Sequence, residues 1–173
     1  MNKSVFLPFL LGPVAAQTAL ATVYMSEEQA VKGFFPGLKF TKATETLTPA
    51  EIEKLSAVVK DKVRPVFTVY KSAGGESVVI DQVLGKHELI TYAVALTADG
   101  KVKAIDILEY RESYGFEVRR PAWRAQFEGK TKADKFQLDE DIKNISGATL
   151  SSVHITNGVK RVLLAHDLVK SRS

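Results

Sequence analysis

The stretch Ser146-Gly147-Ala148-Thr149-Leu150-Ser151-Ser152 sets four hydroxyls among residues that are mostly too small to crowd a ligand. Such residues let the backbone bend tightly and let a bulky group approach. Thr149, Ser151 and Ser152 fall where a helix should begin. Free backbone N–H groups and the positive end of the helix dipole make that a place suited to a phosphate. The plainer reading is an N-cap whose hydroxyls satisfy the first turn. These residues alone leave both readings open.

Other chemistries find less support. The chain has no cysteine, which removes disulfides, thiolate-bound iron–sulfur clusters and c-type haem attachment. Redox chemistry would need an organic cofactor, or a metal held by histidine and carboxylates. The three histidines, His87, His154 and His166, are scattered, and no H-E-x-x-H pair or carboxylate cluster points to a metal. His154 falls just over one turn past Thr149, within reach of a phosphate there. Gly129-Lys130-Thr131 imitates the end of a P-loop, but Arg124 stands where that motif needs glycine. Ser151 and Ser152 lack the G-x-S-x-G frame of a hydrolase nucleophile. The net charge is +4, with one basic cluster at Arg119, Arg120 and Arg124. That steers weakly at long range, and no nucleic-acid-binding signature accompanies it.

The elements that must hold these residues can be read in turn. A chain of 173 residues, 45% of them hydrophobic, suffices for one domain with a real core and not for two. Ser26-Glu27-Glu28-Gln29 and Thr48-Pro49-Ala50-Glu51 are capping boxes, and each predicts a short helix. In the second, Ile52, Leu55, Val58 and Val59 recur at helical spacing. After Arg64-Pro65 the pattern changes to strands at 66–70, 77–84, 87–96 and 102–108, with Asp99-Gly100 as a hairpin turn. A short helical segment is expected at 121–127. A final helix is expected at 150–169, weakened slightly by Gly158. The fold class read from this order is α+β: an antiparallel sheet of about four strands flanked by helices.

The S-G-A-T-L-S-S stretch resembles the S-G-A-T-[LM]-[ST]-S motif of the FMN-binding domain family. That family includes the C subunit of the sodium-pumping NADH:quinone oxidoreductase and the G subunit of the Rnf electron-transport complex. Two more blocks agree, in the family's order. Glu112-Ser113-Tyr114-Gly115 resembles its E-[ST]-P-G turn, with Tyr114 in place of proline. Trp123-Arg124-Ala125-Gln126-Phe127-Glu128-Gly129-Lys130 resembles its F-x-x-Q-F-x-G-K block. The resemblance covers roughly residues 87–169.

The resemblance implies FMN in phosphoester linkage to Thr149, made by a flavin transferase. Ser146, Gly147, Ala148, Leu150 and Ser151 would then shape the phosphate site. Glu112, Ser113 and Gly115 would line the isoalloxazine ring, with Trp123 or Gln126 nearby. Trp123 and Tyr114 are candidates to stack on the ring, and core packing is the alternative for Trp123. Arg119, Arg120 and Arg124 would either stabilise the reduced flavin or form a solvated surface patch. The family has aspartate three residues before its serine; Lys143 stands there, and the nearest acid is Asp141. Non-covalent FMN at the same place is the alternative to the ester.

The first residues read as a targeting segment. Lys3 gives a positive start, residues 5–20 are mostly apolar, and Ala19-Leu20-Ala21 is an A-x-A cleavage pattern. The expectation is a signal peptide over 1–21 and a single FMN-binding domain over 22–173. A retained membrane anchor is the alternative. Together these readings imply a periplasmic or otherwise extracytoplasmic electron carrier. Its redox partner would be a membrane quinone-linked complex, a cytochrome or a reductase. A flavin-free binding or assembly module of a membrane redox complex is the competing reading.

Overall fold

The computed structural model describes residues 21–59 and 61–172; the expected signal peptide lies almost wholly outside them. Both capping boxes form. Ser26 Oγ accepts from the Gln29 N–H at 3.2 Å, and Gln29 Oε1 accepts from the Ser26 N–H at 2.7 Å, opening helix α1 (Glu27–Phe34). Thr48 and Glu51 do the same for α2 (Pro49–Ser56). This second helix ends before Val58 and Val59, so only Ile52 and Leu55 of the expected apolar stripe are helical.

Six strands form one fully antiparallel sheet in the order β1-β6-β5-β4-β3-β2. They are β1 (Thr22–Val23), β2 (Phe40–Thr46), β3 (Val66–Ser72), β4 (Ser77–Leu84), β5 (Leu89–Leu96) and β6 (Val102–Tyr110). The four expected strands are the inner ones, and β1 and β2 add the two edges. Neither edge shows as an apolar run. Phe40–Thr46 is a threonine-rich strand made by its partner, pairing residue for residue with β3 from Phe40↔Ser72 to Thr46↔Val66.

The period of two sorts the strand residues onto two faces. Val79, Val83, Tyr92, Val94, Ile105 and Ile107 face the last helix, α4 (Thr149–Ser171), through its Ile155, Val159, Val162 and Leu163. Val78, Ile80, Ala93, Ala95 and Leu108 face Ala30, Val31 and Phe35 at α1. Leu55, Val59 and Val63 close the far end of α4 at Ala165 and Val169.

Gly158 is what lets α4 lie close to the sheet. A Cβ there would stand 2.3 Å from Tyr92 Oη and 2.8 Å from Val83 Cγ1. The Tyr92 hydroxyl instead donates to Asp81 Oδ2 at 2.7 Å. Arg161 of α4 meets the same oxygen at 2.5 Å and also donates to the Lys62 and Gln82 carbonyls. All three side chains are buried. Each charge is therefore paired and hydrogen-bonded, which is the condition for keeping a charge inside a core.

Between β6 and α4 the chain is mostly irregular. It forms a 3-10 turn (Phe116–Arg119), the short helix α3 (Pro121–Arg124) and a second 3-10 turn (Ala125–Phe127). This is the short helical segment expected at 121–127.

Candidate functional site

The start of α4 differs from the starts of α1 and α2. Ala148 occupies the N-cap position, and no side chain caps the helix. The N–H groups of the first turn, at Thr149, Leu150 and Ser151, lie ahead of the first helical hydrogen bond, which runs from Ser152 N to Ala148 O at 2.9 Å. The plain N-cap reading of the hydroxyls therefore does not hold. Ser151 and Ser152 are buried while Thr149 is exposed. Among the described residues Thr149 Oγ1 accepts from Asn144 Nδ2, at 3.2 Å. Gly147, with φ +84°, supplies the bend that leads into the helix.

Thr149 sits on a cleft of about 380 Å³, within the size range of small-molecule sites. Three segments form its walls: Gly147 to Ser151, the turn at 112–115, and the tip of the β4–β5 hairpin at Lys86 and His87. The cleft thus unites Glu112, Ser113, Gly115, Gly147, Ala148, Thr149, Leu150 and Ser151. Ser146 is exposed beside it and outside its lining.

Tyr110, the last residue of β6, ties two of the walls together. Its hydroxyl donates to the Tyr114 carbonyl at 2.6 Å and lies 2.9 Å from Ser151 Oγ. A phenol has one proton, so Ser151 is the donor in the second bond. Burial pushes the Tyr110 hydroxyl above its ordinary pKa; the Ser151 hydrogen bond opposes this and the Glu112 charge adds to it. Gly115 passes over the pair at φ +89°.

Glu112 ties in the third wall. Its Oε1 accepts from the backbone N–H groups of His87 at 2.5 Å and Glu88 at 2.9 Å. Partial burial works against the charge, but the N–H groups of Glu88, His87 and Lys86 outweigh it and hold the carboxyl below the usual carboxylate range. The first residue of the E-S-Y-G turn therefore anchors the hairpin.

Trp123 and Gln126 are placed elsewhere than beside the cleft. Trp123 is buried, edge-on to Phe127 at 5.1 Å between ring centres, and its Nε1 donates to the Lys143 carbonyl at 2.8 Å. Gln126 Oε1 accepts from the Lys143 N–H at 2.7 Å. The two residues clamp the backbone that leads into the Thr149 turn, so the core-packing alternative for Trp123 is the one the structure takes. The arginine cluster is also absent from the cleft lining. Arg124 pairs with Asp106 at 2.5 Å, and Arg119 lies 3.4 Å over the Tyr24 ring. His154 turns to Asp61 at 2.8 Å instead of to Thr149. The Asp141 carboxylate is spent within its own loop, accepting from Phe136 N, Gln137 N and Lys130 Nζ.

Sequence reasoning passed over Lys86, His87 and Tyr110. Lys86 and His87 reach the cleft only because β5 pairs with both β4 and β6. The one local signal was the position of Tyr110, two residues before Glu112. Among the described residues no group of acidic and histidine side chains could hold a metal.

The residues present fit a phosphate-bearing planar cofactor. An uncapped helix start can receive the phosphate, the exposed Thr149 hydroxyl stands beside it, and the cleft takes the remainder. No curated protein matches the chain. Residues 85–164, which carry every wall of the cleft, match the family model of the FMN-binding domain. That match agrees with the resemblance carried by the three motif blocks, and it supports a flavin-binding protein.

Proposed function

We propose that the protein is an exported electron carrier at the outer side of a bacterial membrane, with FMN joined through its phosphate to Thr149. The observation that carries this reading is the exposed Thr149 hydroxyl on an uncapped helix start, opening on the cleft. FMN takes up and releases one or two electrons, and the surrounding protein tunes its potential.

The chain's own residues do the rest. A flavin transferase would supply the activated flavin as a dinucleotide: the Thr149 oxygen would bond to the flavin-side phosphorus, the phosphoanhydride bond would break, the nucleoside monophosphate would leave, and the hydroxyl proton would pass to solvent. The Leu150 and Ser151 N–H groups face the phosphate charge with the helix dipole behind them. Ser113 and Gly115 would flank the ring, and Lys86 would provide the cationic side of the cleft, with His87 beside it. A covalent tether suits an exported protein, which meets little free FMN. The redox partner is a membrane quinone-linked complex, a cytochrome or a reductase.

The test is the intact mass and N-terminal sequence of protein exported from a host that has a flavin transferase. A start at Thr22 with one added FMN, water lost, is expected. A colourless protein without added mass favours the second reading, a flavin-free module of a membrane redox complex. Two observations lean that way: Lys143 at the family's aspartate position, and the engagement of Asp141 within its loop.

A further inference from the structure

Thr149 Oγ1 is held from outside the cleft by a residue that no motif singles out. Asn144 is not part of the cleft lining, and its Nδ2 donates to Thr149 Oγ1 at 3.2 Å. A second bond fixes the direction of this one. The Ile145 N–H meets the other end of the same amide, Asn144 Oδ1, at 2.8 Å. A backbone N–H can only donate, so the amide oxygen faces Ile145 and the NH2 group faces Thr149. An amide NH2 does not accept. The Thr149 oxygen is therefore the acceptor, and its own proton points away from Asn144.

The backbone that carries Asn144 is held on both sides. Trp123 Nε1 donates to the Lys143 carbonyl, and Gln126 Oε1 accepts from the Lys143 N–H. The Asn144 N–H donates to Asp139 Oδ1 at 3.3 Å. Asp139 sits at φ +63°, a left-handed backbone that aspartate tolerates better than most residues. The Ile145 carbonyl accepts from the Ala148 N–H at 3.0 Å, which closes the turn running into Thr149. A short side chain with both ends engaged thus joins this loop to the exposed hydroxyl of Thr149.

We propose that Asn144 positions Thr149 for phosphoester formation, turning the hydroxyl proton away and donating to the oxygen as that proton leaves. This rests on the ester reading given above. In that step the Thr149 Oγ1–phosphorus bond forms as the phosphoanhydride bond of the flavin dinucleotide breaks. The nucleoside monophosphate leaves and the hydroxyl proton passes to solvent. Negative charge grows on Oγ1 as its proton departs, and a donor already aimed there strengthens at that moment.

The test uses the full chain, made in a host without flavin transferase, then mixed with purified transferase and flavin adenine dinucleotide. Ester formation is followed by intact mass. Asn144→Asp keeps an oxygen for the Ile145 N–H but has no NH2 for Thr149, and Asn144→Ala has neither. Both should lower the transferase kcat with this chain as substrate by roughly tenfold, the worth of one such hydrogen bond. KM, and the melting temperature of Asn144→Asp, should stay unchanged. An unchanged or raised kcat in Asn144→Asp, or a loss in only one of the two variants, overturns the proposal. A raised KM with a lowered melting temperature marks a merely structural brace and also overturns it. A second measurement needs no flavin: in proton–nitrogen spectra of the unmodified chain, Thr149→Val should move the Asn144 side-chain NH2 signals upfield. Signals that stay in place overturn the contact itself. If the unsubstituted chain gains no flavin mass, the ester reading fails and this role fails with it. If it gains flavin and the Asn144 variants keep pace, only the role of Asn144 fails.

Discussion

Gly115 lies so close to Ser151 that a methyl group on its α-carbon would stand 2.9 Å from Ser151 Oγ, and 2.7 Å from Tyr110 Oη. The turn from β6 and the first turn of α4 therefore meet with no room for a side chain. That contact holds two walls of the cleft at a set separation.

Gly115→Ala is expected to damage both fold and site. The left-handed backbone costs about 1–2 kcal/mol for a residue with a Cβ, and crowding adds about 1–3 kcal/mol. At about 2–4 °C per kcal/mol, the melting temperature should fall by roughly 4–20 °C. Calorimetry checks this, and flavin content of the same sample should drop with it.

Thr149→Val should separate flavin from folding. The hydroxyl is exposed and caps nothing, so stability should change by no more than about 0.5 kcal/mol. Covalent flavin should vanish from denaturing gels viewed by fluorescence, while Thr149→Ser should keep some. Flavin that stays on Thr149→Val through denaturation places the attachment elsewhere.

Trp123→Phe tests a positioning role against a stacking role. It removes the donor to the Lys143 carbonyl, at a cost of about 1–3 kcal/mol for the group left unpaired. The yield of flavinylated protein should fall, because the loop before Thr149 loosens. The fluorescence of the flavin that is bound should stay the same; a marked increase would mean that the indole touches the ring.

Acid should open the hairpin wall. The Glu112 carboxyl titrates below 4.5 in the folded protein. A lowered carboxylate pKa contributes stability that is full above the unfolded value and lost as pH falls through the folded one. Amide chemical shifts of His87 and Glu88 should therefore move together below pH 4.5. Glu112→Gln has no proton to take up, and its spectra should lack that transition.

The sequence was most legible where one local rule decides. Ser26 and Thr48 cap where their boxes said they would, and the strand expected at 77–84 is Ser77–Leu84. Phe40–Thr46 was not legible, because an edge strand draws its stability from the neighbour it pairs with and not from its own apolar content. In the site, the residues around Thr149 and Glu112 could be named from their motifs. Lys86 and His87 could not, since only the β4–β5–β6 pairing carries that hairpin to the cleft. Trp123 and Gln126 were legible as a block but not in their placement. Spacing along the chain does not say whether a side chain faces a ligand or the backbone of the next loop.

The pairing of Thr22–Val23 with the end of β6 also bears on the order of assembly. The two strands lie at opposite ends of the sheet's sequence, and only two residues are paired, so little contact energy offsets a long loop closure. β1 should therefore dock after the β4–β5–β6 meander has formed. In pulse-labelled hydrogen exchange the Tyr24 amide, which donates to the Leu108 carbonyl at 2.8 Å, should gain protection later than amides in β5; equal timing would contradict this order. On the export proposed above, N-terminus first, the part that would emerge earliest is the last to be locked down. Until then it remains a free leash on an otherwise finished sheet.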